Sequence, residues 1–195
     1  MSGAPRLAHS TPINSKPIGL PSPTTLLTFD EVVLPNNTIV TNQYQTFGVT
    51  FSPNLVYNSQ GQVNFPNVTG NNLGNFAPGL VDPFFIDFTT DVSAAAFAMV
   101  TNPTTSTFTA LLNNVPVESF SVGTTFTSPN DFYGFTGITF NQIEVSTSGA
   151  FMLLDNLQFN SAVPEPTTLA LLGTGLLGLV MMRRRKLSRT ASSLA

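Results

Sequence analysis

Between Thr24 and Asn160 the chain is written in short alternating runs of apolar and polar residues. Leu26-Leu27-Thr28-Phe29 opens the series. Phe47-Gly48-Val49-Thr50-Phe51 and Gln62-Val63-Asn64-Phe65 follow. In Phe84-Phe85-Ile86-Asp87-Phe88 the apolar Phe84, Ile86 and Phe88 share one face. Residues 94–100, 107–112 and 115–122 come next, then 137–140, 142–145 and 151–159. Period-two alternation, β-branched and aromatic enrichment, and Gly, Pro and Asn punctuation all predict strands. Asn113-Asn114 separates two of them and predicts a tight hairpin, because Asn tolerates positive φ. No window offers a capped helix of three turns. Nine or ten short strands over about 137 residues predict an all-β fold, an antiparallel two-sheet sandwich. Immunoglobulin-type sandwiches need only ~100 residues, so the extra length points to a jelly-roll-like arrangement.

The flanks break this pattern. Residues 1–23 are rich in Pro and Ser and hold no apolar run longer than four, so they predict a disordered leader without a secretion-signal core. Residues 24–160 form the sandwich domain, and 161–195 a separate tail. In that tail Val163-Pro164-Glu165-Pro166 precedes sixteen mostly apolar residues, 167–182. As a helix these span roughly 24 Å, short against a hydrocarbon core of ~30 Å. Six Leu and one Val favour insertion by roughly 2–4 kcal/mol before the Gly and Thr penalties. The basic segment 183–195, led by Arg183, Arg184, Arg185 and Lys186, stays cytoplasmic by the positive-inside rule, which places the body outside. A plain membrane anchor is the blander alternative. Gly173-x-Gly175-x-x-Gly178 matches a dinucleotide fingerprint only formally, since it opens no βαβ unit and no acid follows Glu165.

Charge sharpens the division. All ten acids lie between Pro17 and Met182, and no Lys or Arg does. Such a body has nothing to neutralise phosphates, which excludes nucleic-acid binding. There is no Cys, and the one His is His9, so the body holds no thiol nucleophile, Ser-His-Asp triad or His-based zinc site. Seventeen Phe and no Trp predict a Phe-rich core.

The three-part order Pro164-Glu165-Pro166, Leu/Gly-rich helix, Arg183-Arg184-Arg185 resembles the PEP-CTERM sorting signal of Gram-negative exported proteins. The resemblance covers residues 163–186, about an eighth of the chain. It implies processing near Pro-Glu-Pro by an exosortase, a membrane peptidase. It also implies an inner-membrane-anchored precursor, then delivery to the cell surface or extracellular matrix, often in bacteria that make exopolysaccharide. The body is similar to β-rich domains joined to this tail through Leu27-Thr28-Phe29-Asp30, Gly48-Val49-Thr50-Phe51 and a closing strand at residues 155–159. Two departures stand out. Family members carry an N-terminal secretion signal that residues 1–23 do not show, and nine residues follow Lys186.

Within the body, unbroken alternation places Phe151, Leu153, Asp155, Leu157 and Phe159 on one face. An ionised carboxylate in an apolar row needs a partner. Asp30, Glu31 and Asp155, with Asn156, are therefore candidate ligands for a structural Ca²⁺. The competing reading puts Asp155 at a bulge, capping backbone N–H groups. Tyr44, Tyr57, Phe132 and Tyr133 are candidate sugar-stacking rings, or else core packing. Glu118 and Glu144 are candidate glycoside-hydrolysing acids, or else solubilising strand residues. Asn36-Asn37-Thr38 and Asn67-Val68-Thr69 match a glycosylation acceptor pattern that chance often produces. The expected function is a non-enzymatic structural or adhesive surface protein. A calcium-dependent carbohydrate-binding module is the first alternative, a glycan-active hydrolase the second.

Overall fold

The computed structural model describes residues 11–53, 55–59, 64–76 and 82–162. Thirteen strands run through them in chain order: β1 (Thr11–Lys16), β2 (Thr25–Leu27), β3 (Ile39–Val40), β4 (Val49–Phe51), β5 (Leu55–Asn58), β6 (Asn64–Phe65), β7 (Val68–Thr69), β8 (Asn72–Gly74), β9 (Phe84–Thr101), β10 (Thr104–Leu112), β11 (Val115–Thr124), β12 (Phe132–Ser146) and β13 (Met152–Ser161). The only other element among these residues is a single 3-10 turn, Gln45–Phe47. The all-β, antiparallel expectation holds. The expected division into two separate sheets does not, because hydrogen bonds join eleven strands into one sheet, ordered β11-β10-β12-β9-β13-β8-β5-β3. Within it β1 pairs with β12, β2 with β13 and β4 with β9, while β6 and β7 pair only with each other.

Strand β9 explains why the sheet is continuous. Its first part, Phe84 to Phe88, pairs with β4 and with the end of β12. Its second part, from Val92, pairs with the start of β12 and with β13. Expected as two strands, it is one of 18 residues, with exposed Thr89, Thr90 and Asp91 between the two parts. The first part alternates buried and half-buried residues. The second is buried on both faces, as a strand covered on each side must be. Ala95, Phe97 and Met99 enter the main core. Ala94, Ala96, Ala98 and Val100 enter a second cluster with Ile13, Leu20, Val68 and Phe132. Small side chains suit this crowding. A Cβ at Gly134 would collide with the Ala95 carbonyl oxygen and lie 2.7 Å from the Ala96 Cα.

Strand β12 likewise merges two expected strands and takes in Phe132 and Tyr133. Its register slips between Thr136 and Phe140, where Gly137 has φ of 76°. A bulge there redirects the strand without ending it. The hairpin between β10 and β11 turns on Asn113 and Asn114, at φ of 53° and 65°.

The core is aromatic. Ring contacts run Phe88–Phe140–Phe135–Phe120–Phe108, with centroids 5.9, 5.9, 5.3 and 5.0 Å apart. Tyr133 stacks on Phe108 at 4.8 Å. The leader boundary at residue 23 needs correction. Thr11–Lys16 is a strand on β12, and Ile13 and Leu20 cover the second cluster. Backbone pairing with β12 and two buried apolar side chains, not an alternating run, hold this segment, which is why its sequence reads as unstructured. Residues 1–10 lie outside the described residues.

Candidate functional site

The sheet closes at the Ala162 N–H, which donates to Asp91 O at 2.8 Å. Contacts divide the chain at this point into units 1–162 and 163–195. Val163, Pro164, Glu165 and Pro166 follow directly, and the two prolines have no N–H with which to extend β13. They lie outside the described residues, as do the expected membrane helix 167–182 and Arg183, Arg184, Arg185 and Lys186. Among the described residues no helix is long and apolar enough to cross a membrane.

Asp155 is 1 % exposed. Its Oδ2 accepts from the Thr69 N–H at 3.0 Å and its Oδ1 from the Asn156 N–H at 2.6 Å. Asn156 has φ of 51°, and the pairing of β13 with β9 slips between Asp155 and Gln158. This is a bulge, and it corrects the expected alternation. Met152, Leu154, Leu157 and Phe159 enter the main core, whereas Leu153 packs on the second cluster. Burial pushes the Asp155 carboxyl up to about 7, against the lowering effect of its two N–H partners. Nearby Asp30 and Glu31 push it the same way as burial.

The proposed calcium ligands are thus near one another but spent on other partners. Asp30 Oδ1 accepts from Asn71 Nδ2 at 2.6 Å, and Glu31 Oε1 from the Thr28 N–H and hydroxyl at 2.9 and 3.1 Å. Asn156 Nδ2 donates to Asn67 O at 2.8 Å. No group of three acidic, His or Cys side chains among the described residues could hold a metal ion.

The proposed sugar-stacking rings are core. Tyr44 and Tyr57 are fully buried, Tyr133 nearly so, and Phe132 is 5 % exposed. The hydroxyls of Tyr44 and Tyr57 both donate to Phe29 O, at 3.3 and 3.1 Å, and fasten the loop that carries Asp30 and Glu31. Burial raises both phenols. Glu118 and Glu144 stand on opposite faces of the sheet. Glu118 shares its row with Ala110 and the buried Ile143, and Glu144 shares the next row with Thr109 and Ser119. Directly opposed residues project to the same side, so the sheet itself separates these two carboxylates.

Sequence reasoning missed a second buried acid. Asp131 is fully buried, accepts from Asn67 Nδ2, and has an Oδ2 without a hydrogen-bond partner. Burial raises its carboxyl against the opposing Asn67 hydrogen bond. The β6–β7 hairpin therefore holds both acids, Asp131 through Asn67 Nδ2 and Asp155 through the Thr69 N–H. The acceptor pattern at Asn67-Val68-Thr69 marked this turn, but for another chemistry.

The chain matches the PEP-CTERM protein-sorting motif over residues 162–186. No curated protein and no solved structure matches the chain. The motif begins at the residue where the described sheet ends. It implies recognition by an exosortase, a membrane protein, and a membrane-anchored precursor processed for export to the cell surface.

Proposed function

We propose that the β domain is a non-enzymatic structural or adhesive component of the cell surface or extracellular matrix, carried there by the sorting tail. The observation that carries this reading is the junction at Ala162, where the β domain meets the PEP-CTERM motif without an intervening domain. Residues 167–182 act as the temporary membrane anchor of the precursor, held on its inner side by the basic cluster. We read the bent sheet as a jelly-roll-like double layer whose halves are joined through β9 and β12. A body whose one described basic residue is Lys16, with Glu118 and Glu144 on opposite faces of the sheet, supports a passive role better than catalysis. Extracellular polysaccharide is the proposed partner of the exposed Thr, Ser and Asn surface.

The test is a Pro164→Ala, Glu165→Ala, Pro166→Ala triple variant in a host that carries an exosortase. The unaltered chain should reach the surface with its basic segment removed, as read by mass spectrometry, and the variant should stay in the membrane at precursor mass. An unaltered chain kept inside at full mass would overturn the sorting half of the proposal. Sugar release that disappears in Glu118→Gln or Glu144→Gln would overturn the non-enzymatic half.

A further inference from the structure

We propose that an apolar cleft at the end of the sheet remote from Ala162 is a binding site for a small neutral molecule built on one aromatic ring. The cleft has a volume of about 220 Å³. Four rings wall it, each from a different part of the chain: Phe65 on β6, Phe76 after β8, Phe126 after β11 and Phe151 before β13. Phe126 is 41 % exposed and Phe151 49 %, in a domain whose other aromatic side chains are largely core. Phe65 and Phe126 meet at 6.2 Å between centroids. An apolar cavity of ~150 Å³ lined by such side chains takes up benzene, so this volume suits one ring with a short substituent.

The wall chemistry selects the guest. Two polar residues line the cleft, Thr101 and Asn102. The Thr101 hydroxyl is engaged with Thr124 Oγ1 at 2.7 Å, and the Asn102 N–H donates to Phe151 O at 3.0 Å. A sugar would lose its water and find one side-chain amide in return, a net cost. An anion would find no cation, because the body has no Lys or Arg beyond Lys16. Among the described residues no carboxylate lines the cleft to draw in an ammonium group. A protein partner is disfavoured by the surroundings. Among the described residues none of the other exposed large apolar side chains, from Ile18 to Val117, lines the cleft, so there the rings do not continue into an interface-sized patch.

Ser161 pairs with Val92 midway along β9, whereas the cleft includes Val100, eight residues further along. At ~3.3 Å per residue the two points are roughly 26 Å apart. The cleft therefore lies well away from Ala162.

The experiment uses the full chain in phosphatidylcholine nanodiscs, with 4-fluorophenol as the probe and empty nanodiscs as background. Fluorine NMR should show saturable line broadening above background. Phe126→Ser and Phe151→Ser are exposed changes that leave the thermal midpoint in place. Each should weaken binding about fivefold to tenfold, since each removes one ring's contact area. Fluorobenzoate and a fluorinated N-acetylglucosamine should not saturate. No saturable broadening, equal affinity in the double variant, or equal binding of the benzoate or the sugar would each overturn the assignment.

Discussion

Asp155 shows what a single buried carboxyl does to a fold. Burial raises it to about 7, well above its value in an unfolded chain. Between those two values the native state holds a proton that the unfolded state has released. Stability from this group is therefore complete at low pH, and it falls as pH climbs through the native value. Asp131, also raised by burial, acts in the same direction. Melts recorded from pH 4 to pH 8 should show the midpoint falling towards neutrality. Asp155→Asn should flatten most of that slope, and a wild-type midpoint that rises over this interval would refute the assignment. The sequence showed this acid in an apolar row, and so showed its burial. It offered the bulge only as the competing reading, because alternation assumes regular backbone, whereas Asn156 at positive φ reverses every face beyond it.

At the scale of elements, close approach and clamping decide most of the outcome. Gly134 sits where β12 presses on β9, with backbone atoms of Ala95 and Ala96 in the space a methyl group would need. Gly134→Ala should cost about 3 kcal/mol in urea unfolding followed by circular dichroism, since neither strand can yield without disturbing its other partner. The β6–β7 pair stands apart from the main sheet and is fastened by Asn67 to Asp131 and by the Thr69 N–H to Asp155. Asn67→Ala leaves the buried Asp131 carboxyl without its side-chain donor, at ~1–3 kcal/mol. Hydrogen exchange at the Thr69 amide should accelerate at least about tenfold while that of Phe97 stays slow. The longer strands and the Asn113-Asn114 hairpin were legible from alternation and turn chemistry, whereas β1, β3, β5, β7 and β8, most of them two to four residues long, were not. Strand continuity was not legible either. Thr89–Thr90–Asp91 and Gly137 look like breaks in one dimension, and only pairing with β12 and β13 shows them to be bends within longer strands. The rings of Tyr44, Tyr57 and Tyr133 stood between sugar stacking and core packing in the sequence, and their burial fits core packing: the hydroxyls of Tyr44 and Tyr57 meet carbonyls inside, and Tyr133 lies flat on Phe108.

Over the whole molecule, charge asymmetry sets the response to solvent. Every acid lies between Pro17 and Met182 and every base outside that stretch, so the sheet repels itself with little internal compensation. Raising sodium chloride from 20 to 500 mM should screen this repulsion and lift the midpoint by roughly 2–4 °C. A midpoint that drops with salt would mean that attractive ion pairs prevail. The sorting address was legible because its parts are contiguous and resemble a known signal, membrane physics accounting only for the apolar segment and its basic flank. The aromatic cleft was not, because Phe65, Phe76, Phe126 and Phe151 meet only after four separate stretches of chain have folded.

The bond from the Ala162 amide to Asp91 also makes the domain modular in an evolutionary sense. Cargo and label meet at one residue, and severing them leaves every described strand with its neighbours. A gene could therefore trade one such label for another, or lose it altogether, and still encode the same folded passenger.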